Sequence, residues 1–320
     1  MRILVCKKVG GAFGHITDSW MNVFQFSPGF VAQRYDGNVR SWLEFEPDLF
    51  IGCSGHWQQI PKDTKAKITI HVNPYGDSIP GIDEPKSVIE TVKSANPVAV
   101  FGYGFESHRN YWKNWDRDGI KWVPMPTAGD IIKYRNLGSD RPYDVAYLGG
   151  RWSYKAQTID KYLLPVFDSG CKCRIAGWGD WHARYNIKGL DEGLENEFFN
   201  SAKVAPCISE IHTYNTGIDL PERYFKTVLA GCAAVHDGGE NVRKILPQAL
   251  VANNPAEYLN MINTCLKNED YRLDVCSRQY FEVANNHTYH HRLANLLREC
   301  GFHSASDSLM LTSKQLLSRC

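Results

Sequence analysis

Short runs of apolar, often β-branched residues recur along the chain, and each leads into a segment whose apolar residues fall three or four apart. "RILVC" (2–6) precedes a glycine turn and "ITDSWMNVFQF" (16–26), whose spacing predicts a helix. "DLFIGC" (48–53), "KITIHV" (67–72) and "VAVFGYG" (98–104) read as further strands, with a helix over "KSVIETVKSAN" (86–96). A second series follows "VPMPTAGDIIKYRNLGSDRPYD" (123–144), which is rich in proline, glycine and charge and reads as a linker. Its strands are "DVAYLGG" (144–150), "KCRIAGWGD" (172–180), "VAPCIS" (204–209), "AAVHDGG" (233–239) and "ALVAN" (249–253). Its helices are "TIDKYLLPVF", "PERYFKTVLAG", "NPAEYLNMINTCLKN" and "HTYHHRLANLLREC". Uninterrupted apolar strands alternating with amphipathic helices predict parallel sheets covered on both faces. The fold class is therefore α/β, with two Rossmann-like domains facing a cleft and ligands at the carboxyl ends of the strands.

Composition narrows the function without naming it. The 320 residues suit two domains of roughly 150. Lys+Arg 36 against Asp+Glu 35 argues against an extended polyanion-binding surface. "MRILVCKKVGGAFG" has too short an apolar run for a signal peptide, and no stretch approaches the ~18 apolar residues of a membrane span. Ten scattered cysteines without a CxxC pair read as reduced thiols, which predicts a cytoplasmic protein.

The stretch "DVAYLGGRWSYKAQTID" (144–160) concentrates the chemistry. Gly149 and Gly150 would let backbone N–H groups approach an anion, since glycine carries no Cβ. Arg151 and Lys155 share one face if the segment turns helically, and together they suit a diphosphate. A solvated surface pair is the alternative. Gly238-Gly239-Glu240-Asn241 follows a buried strand where a helix begins, so it is either an anion- or hydroxyl-binding turn or an ordinary connection. Trp178, between Gly177 and Gly179, either flanks a nucleobase or fills the core.

These segments, in this order, resemble the sugar-donor half of GT-B glycosyltransferases. "LGGRWSYKAQTIDKYLLPVFDSGCKCRIAGWGD" is similar to that family's strand, Gly-Arg, Lys, helix and Gly-x-Gly strand end. "IDLPERYFKTVLAGCAAVHDGGENVRKIL" resembles its later helix, strand and Gly-Gly loop. The ending "NNHTYHHRLANLL" is similar to the closing helix of the spore-maturation-protein branch within the group 1 transferases. The resemblance covers residues 140–300 well and residues 1–139 only in topology. It implies an N-terminal acceptor-side domain over 1–139, a nucleotide-sugar domain over 140–300, and a 301–320 tail packing back towards the first domain. It also implies a transferase moving a hexose or pentose from a UDP- or GDP-linked sugar to a hydroxyl; the metal-like motifs discounted below make metal-independent chemistry, with no other cofactor, the expectation. Where the common retaining branch has a ribose-gripping Glu, five residues before the helix-ending Gly231, this chain has Lys226, with Glu222 one turn earlier. Glu222 would substitute, or Lys226 would add a phosphate contact.

A base for the acceptor hydroxyl is expected in the first half. His15 follows the glycines at 10, 11 and 14, with Asp18 three residues on to orient it, and is similar to the base position of inverting GT-B enzymes. Glycines 10, 11 and 14 would let an acceptor approach the backbone, and His56 and His71 are further acceptor-side candidates. Asp116-Arg117-Asp118 matches a metal-binding DxD but lies in a polar turn. His287, His290 and His291 lack further ligands at metal spacing and read as a helix start. The acceptor is a saccharide, a small molecule or a hydroxylated DNA base as in viral DNA glucosyltransferases. The aromatic and cationic "ESHRNYWKNWDRDGIKW" (106–122) is the segment that would meet DNA. A non-catalytic nucleotide or sugar sensor is the alternative of another class, favoured by Lys226. A redox enzyme is disfavoured because "VGGAFGH" does not match GxGxxG.

Overall fold

A computed structural model of the chain describes residues 1–7, 12–54, 60–76 and 82–318. Its contacts divide it into two units, Met1–Ile132 with Tyr289–Arg319, and Lys133–Thr288. The sequence reading put these boundaries at 139/140 and 300/301. The chain changes unit earlier each time, because the backbone N–H of Tyr289 already bonds the carbonyl of Gly129.

The first unit holds six strands: β1 (Arg2–Val5), β2 (Val31–Arg34), β3 (Leu49–Cys53), β4 (Lys67–His71), β5 (Ala99–Gly102) and β6 (Trp122–Pro124). Their order is β2-β1-β3-β4-β5-β6, and every neighbouring pair is parallel. β3 and β5 are buried along their whole length, which is why they read as unbroken apolar runs. Helix Ala12–Gln25 lays Trp20, Val23 and Phe24 into this core, and helix Tyr289–Glu299 adds Leu293, Leu296 and Leu297. Helix His303–Leu317 follows in the same unit.

The second unit holds β7 (Tyr143–Leu148), β8 (Cys173–Ala176), β9 (Ala202–Cys207), β10 (Ala233–His236) and β11 (Leu250–Val251), in the parallel order β11-β10-β9-β7-β8. Alternation along β7 fills both faces. Val145 and Tyr147 join Val204, Val235 and Tyr258 on one side, and Ala146 packs with Phe198, Phe199 and Ala205 on the other.

Several elements escaped the sequence reading, among them two strands and two helices. β2 and β6 are edge strands of four and three residues, too short to show a period. Helix Val39–Phe45 buries only Trp42 and Phe45. Helix Glu269–Asn286 buries Arg272, Gln279 and Glu282 beside Val275 and Val283, so its inner face looks polar in sequence. Gln279 there both donates to the carbonyl of Ala234 and accepts from its N–H, at 2.8 and 2.9 Å, satisfying the start of β10.

Candidate functional site

In the second sheet the chain leaves β7 for β8 on one side and returns to β9 on the other, so the carboxyl ends of β7 and β9 flank a topological switch point. Open α/β sheets bind ligands there. The loops at this edge are Gly149-Gly150-Arg151 after β7, Gly177-Trp178-Gly179 after β8, Ser209-Glu210 after β9 and Asp237-Gly238-Gly239 after β10.

The glycines serve packing more directly than the sequence suggested. A Cβ on Gly149 would fall 2.2 Å from Nη2 of Arg223, and one on Gly177 would fall 2.0 Å from the carbonyl oxygen of Gly149. Gly150 leaves room for the rings of Trp152 and Trp178. Gly179, at φ 90°, backs onto the carbonyl of Arg151. Gly238 and Gly239, at φ 136° and 99°, need glycine for conformation as well.

Arg151 and Lys155 do not share a helical face. Arg151 bridges Gly179 as extended backbone, and the helix begins only at Ser153, after the extended N-cap Trp152. Both cations are already engaged. The Arg151 guanidinium donates to both carboxylate oxygens of Asp160, at 3.1 and 2.9 Å, and to the carbonyl of Asp180 at 2.5 Å. Asp160 sits in a π-helical turn, Ile159–Leu163, just before Pro165, whose ring nitrogen has no hydrogen to donate. Lys155 is buried and donates to Oε1 of Glu210 at 2.6 Å. Lys226 pairs with Glu222 at 2.5 Å, one helical turn apart.

Arg223, which the sequence reading passed over, has capacity to spare. It stands in the first turn of helix Glu222–Leu229 and donates through Nε to the carbonyl of Leu148, the last residue of β7, at 2.6 Å. Its guanidinium lies over the Tyr147 ring at 4.5 Å. Nη1 is buried and has no hydrogen-bond partner among the described residues, and the same holds for Oη of Tyr147 and Oη of Tyr258. Buried polar atoms without partners are costly, so these atoms are ready to bond a ligand or water. The signal available in sequence was a third charge inside "PERYFK", between the two residues that drew attention.

Beneath this edge lies a buried polar network. Ser209 donates to Asp237 through its N–H at 3.0 Å and through Oγ at 2.8 Å, and Oγ is 3.3 Å from Nε2 of His236. Burial pushes the His236 imidazole below its ordinary pKa and pushes the Cys207 thiol up to about 12. Trp178 is 53% exposed and stacks against Trp152 at 19° and 6.2 Å, so it is a surface aromatic and not a core one. Glu240 is exposed and pairs with Lys244, while Asn241 donates to the carbonyl of Asn215 at 3.0 Å.

In the first unit, His15 lies half-buried in the opening turn of helix Ala12–Gln25, beyond the carboxyl end of β1. Gly14 does not belong to a glycine loop; it lies inside this helix, buried, and its carbonyl accepts from Thr17 Oγ1. Asp18 accepts from Arg34 at 2.5 Å. His71 ends β4, with its ring 4.3 Å from Tyr103 and 5.4 Å from Phe13. Gly10, Gly11 and His56 lie outside the described residues. Trp112, Trp115 and Trp122 are each at most 1% exposed, so "ESHRNYWKNWDRDGIKW" offers core tryptophans where an aromatic surface for DNA was expected. Asp116 lies in the short helix Lys113–Arg117 and Asp118 caps its end, so this Asp-x-Asp stands at a helix end where a turn was expected; both are exposed and tied to Arg109 and Lys93. His290 is buried in the first turn of its helix and His287 caps the helix before it, as a helix start requires.

Residues 158–298 match the model of the glycosyl transferase-like family. Comparison with curated protein sequences gives no match. Among solved structures the chain is similar to T4 phage β-glucosyltransferase, solved with its UDP-glucose substrate, at TM-score 0.61 and 15% identity over 96% of this chain and 100% of that one. It is similar to AviGT4, a glycosyltransferase of avilamycin A biosynthesis, at TM-score 0.57 and 12% identity over 100% and 99% of the two chains. TarM of S. aureus aligns at TM-score 0.58 and 12% identity, over 82% of this chain and 57% of that one. The solved structures carry the fold, which is GT-B. The family model carries the class: this is an enzyme of glycosyltransferase type.

Proposed function

We propose that the second unit binds a nucleotide-diphosphate sugar at the carboxyl edge of β7, β9 and β10, and that the enzyme transfers the glycosyl group to a hydroxyl acceptor. The observation that carries this reading is Arg223, a guanidinium fixed by Leu148 with a buried Nη1 that has no hydrogen-bond partner among the described residues. A diphosphate oxygen would fill that position with a charge-assisted bond. Arg151 and Lys155 frame the same edge from positions already set by Asp160 and Glu210. In the transfer, the acceptor oxygen bonds the anomeric carbon as the bond from that carbon to the phosphate oxygen breaks. The acceptor proton passes to a base, for which His15 is our assignment. The departing diphosphate gathers negative charge, and preorganised cations stabilise it as it forms, without metal in this reading. Trp178 offers a stacking face for the nucleobase.

The test is calorimetry with UDP and GDP, followed by assay of UDP- and GDP-linked sugars against saccharide acceptors, with anomeric analysis of the product. Inversion fits a histidine base; retention reduces His15 to a positioning role. A folded protein that binds no nucleotide would end the proposal, and tight binding without turnover or slow hydrolysis would favour a sensor. A hydroxylated DNA base is the second acceptor reading. Its support is the likeness to the T4 phage protein, described as a DNA modifying enzyme. The burial of the three tryptophans favours a saccharide or small molecule instead. Binding to duplex DNA that weakens steeply with salt would reverse that preference.

A further inference from the structure

The amino edge of the second sheet carries a cavity that has no part in the donor site. Helix Glu240–Ile245 runs back from the carboxyl end of β10, and Gln248 stands just before β11. The loop at 246–249 therefore lies at the end of the sheet opposite Arg223, which bonds the last residue of β7. Gln279 bonds Ala234 near the start of β10, which brings the C-terminal part of helix Glu269–Asn286 to the same end. There Gln248, Arg278, Phe281, Glu282 and Asn286 line a cavity of about 430 Å³, within the roughly 300–1,000 Å³ of ligand pockets.

The lining groups supply different parts of a recognition surface. Phe281 is 62% exposed, so its ring offers an open face. Glu282 is buried, and its two oxygens share one backbone N–H, that of Gln248, at 3.4 Å each. Such contacts are long for hydrogen bonds, so the carboxylate keeps capacity to accept. The buried hydroxyl of Tyr224 lies within electrostatic reach of that carboxylate and has no hydrogen-bond partner among the described residues. Gln248 accepts from Arg278 through Oε1 at 3.3 Å, which orients its amide and leaves the NH2 group to donate. Arg278 itself is braced by Asp274 at 2.9 Å.

The mixture limits what fits. An anion would meet the Glu282 carboxylate, and a cation would meet the Arg278 guanidinium. A neutral ligand with one apolar face and a rim of donors and acceptors suits both. A pyranose ring has that form: its C–H face lies on an aromatic ring, while its hydroxyls donate to a carboxylate and accept from amide N–H groups. We infer that this cavity is a saccharide-binding site apart from the donor site, holding one unit of a glycan by stacking on Phe281 and hydrogen bonds to Gln248 and Glu282. The inference goes beyond the donor-site reading and stands on different residues. A glycan held here is kept at raised local concentration around the enzyme without taking part in the chemistry.

The full chain, Phe281→Ala, Gln248→Ala and a control, Leu273→Ala, are titrated calorimetrically with maltohexaose, cellohexaose, mannohexaose and chitohexaose. Leu273 is an exposed apolar residue of the same helix outside the cavity lining. Wild type should bind at least one hexasaccharide. Phe281→Ala and Gln248→Ala should each weaken that binding roughly 3- to 10-fold, and Leu273→Ala should leave it unchanged. UDP, titrated into the same preparations, should bind all four proteins alike. A wild type that binds none of the hexasaccharides overturns the inference, as does equal affinity in wild type and Phe281→Ala. Binding of uridine or tetramethylammonium that depends on Phe281, with no hexasaccharide bound, overturns it in favour of a nucleoside or a cation. In each of these cases UDP binding leaves the donor-site reading standing. If UDP does not bind while a hexasaccharide binds through Phe281, the donor-site reading falls and this one holds.

Discussion

The two units share a strand order and little else at their working edges. Both place the first strand beside the second and third, with the fourth and fifth running outward on the third's side. At the edge of the first sheet stand His15 in a helix start and His71 among Phe13, Phe101 and Tyr103. At the edge of the second stand Arg151, Lys155 and Lys226, each beside a carboxylate, and Arg223 with a nitrogen to spare. One topology thus carries aromatic and imidazole groups in one copy and pre-paired cations in the other. The difference lies in the loops, as expected where a fold is only a scaffold for sites.

The largest test of that contrast is His15→Ala. Turnover should fall roughly 10²- to 10⁴-fold with nucleoside diphosphate affinity unchanged, because the proposed base and the proposed diphosphate contacts belong to different units. Calorimetry and initial rates on the same preparation check it, and a parallel loss of affinity would break the division.

The second test concerns stability. Burial in helix Tyr289–Glu299 depresses the His290 imidazole to about 4. The unfolded ring takes a proton near its ordinary value while the native ring resists, so stability is full above about pH 6.5 and falls as pH drops towards 4. The native-state penalty is at most about 3 kcal/mol. Urea midpoints at pH 7 and 4.5 should differ less in His290→Leu than in wild type, and the change should follow the first unit.

Arg223→Ala comes next, weakening UDP or GDP binding by about 1.5–3 kcal/mol. Arg151→Ala should cost less, because its guanidinium is already committed to Asp160 and Asp180. Equal losses would mean that Arg151 changes partner on binding. Trp178→Ala is the smallest, about 1 kcal/mol of nucleotide affinity from lost stacking, read by the same titration.

Most of the scaffold was legible in the chain because strands buried on both faces announce themselves as apolar runs, β3, β5 and β10 above all. Helix Glu269–Asn286 was not, since Gln279 and Glu282 spend buried positions on backbone partners. The site was legible in its location and less so in its wiring. Glycine-rich strand ends mark the edge, but spacing alone says nothing of the carboxylates opposite. Asp160 reaches Arg151 through a π turn, and Glu210 reaches Lys155 across 55 residues of chain. Arg223 was hidden for the opposite reason: the role proposed for it rests on a nitrogen with no partner among the described residues.

The chain visits the first unit twice, before Lys133 and after Thr288. A ribosome adds roughly 5–20 residues per second, so the closing helices emerge about ten to thirty seconds after the strands they cover. Until then the face awaiting Leu293, Leu296 and Leu297 has no cover, while the second unit already has every residue it needs. Vectorial synthesis therefore makes the later-encoded body the earlier to mature. A chain stopped at Thr288 would carry a finished second unit on an unfinished first, and the unfinished part is the one a protease or chaperone would find.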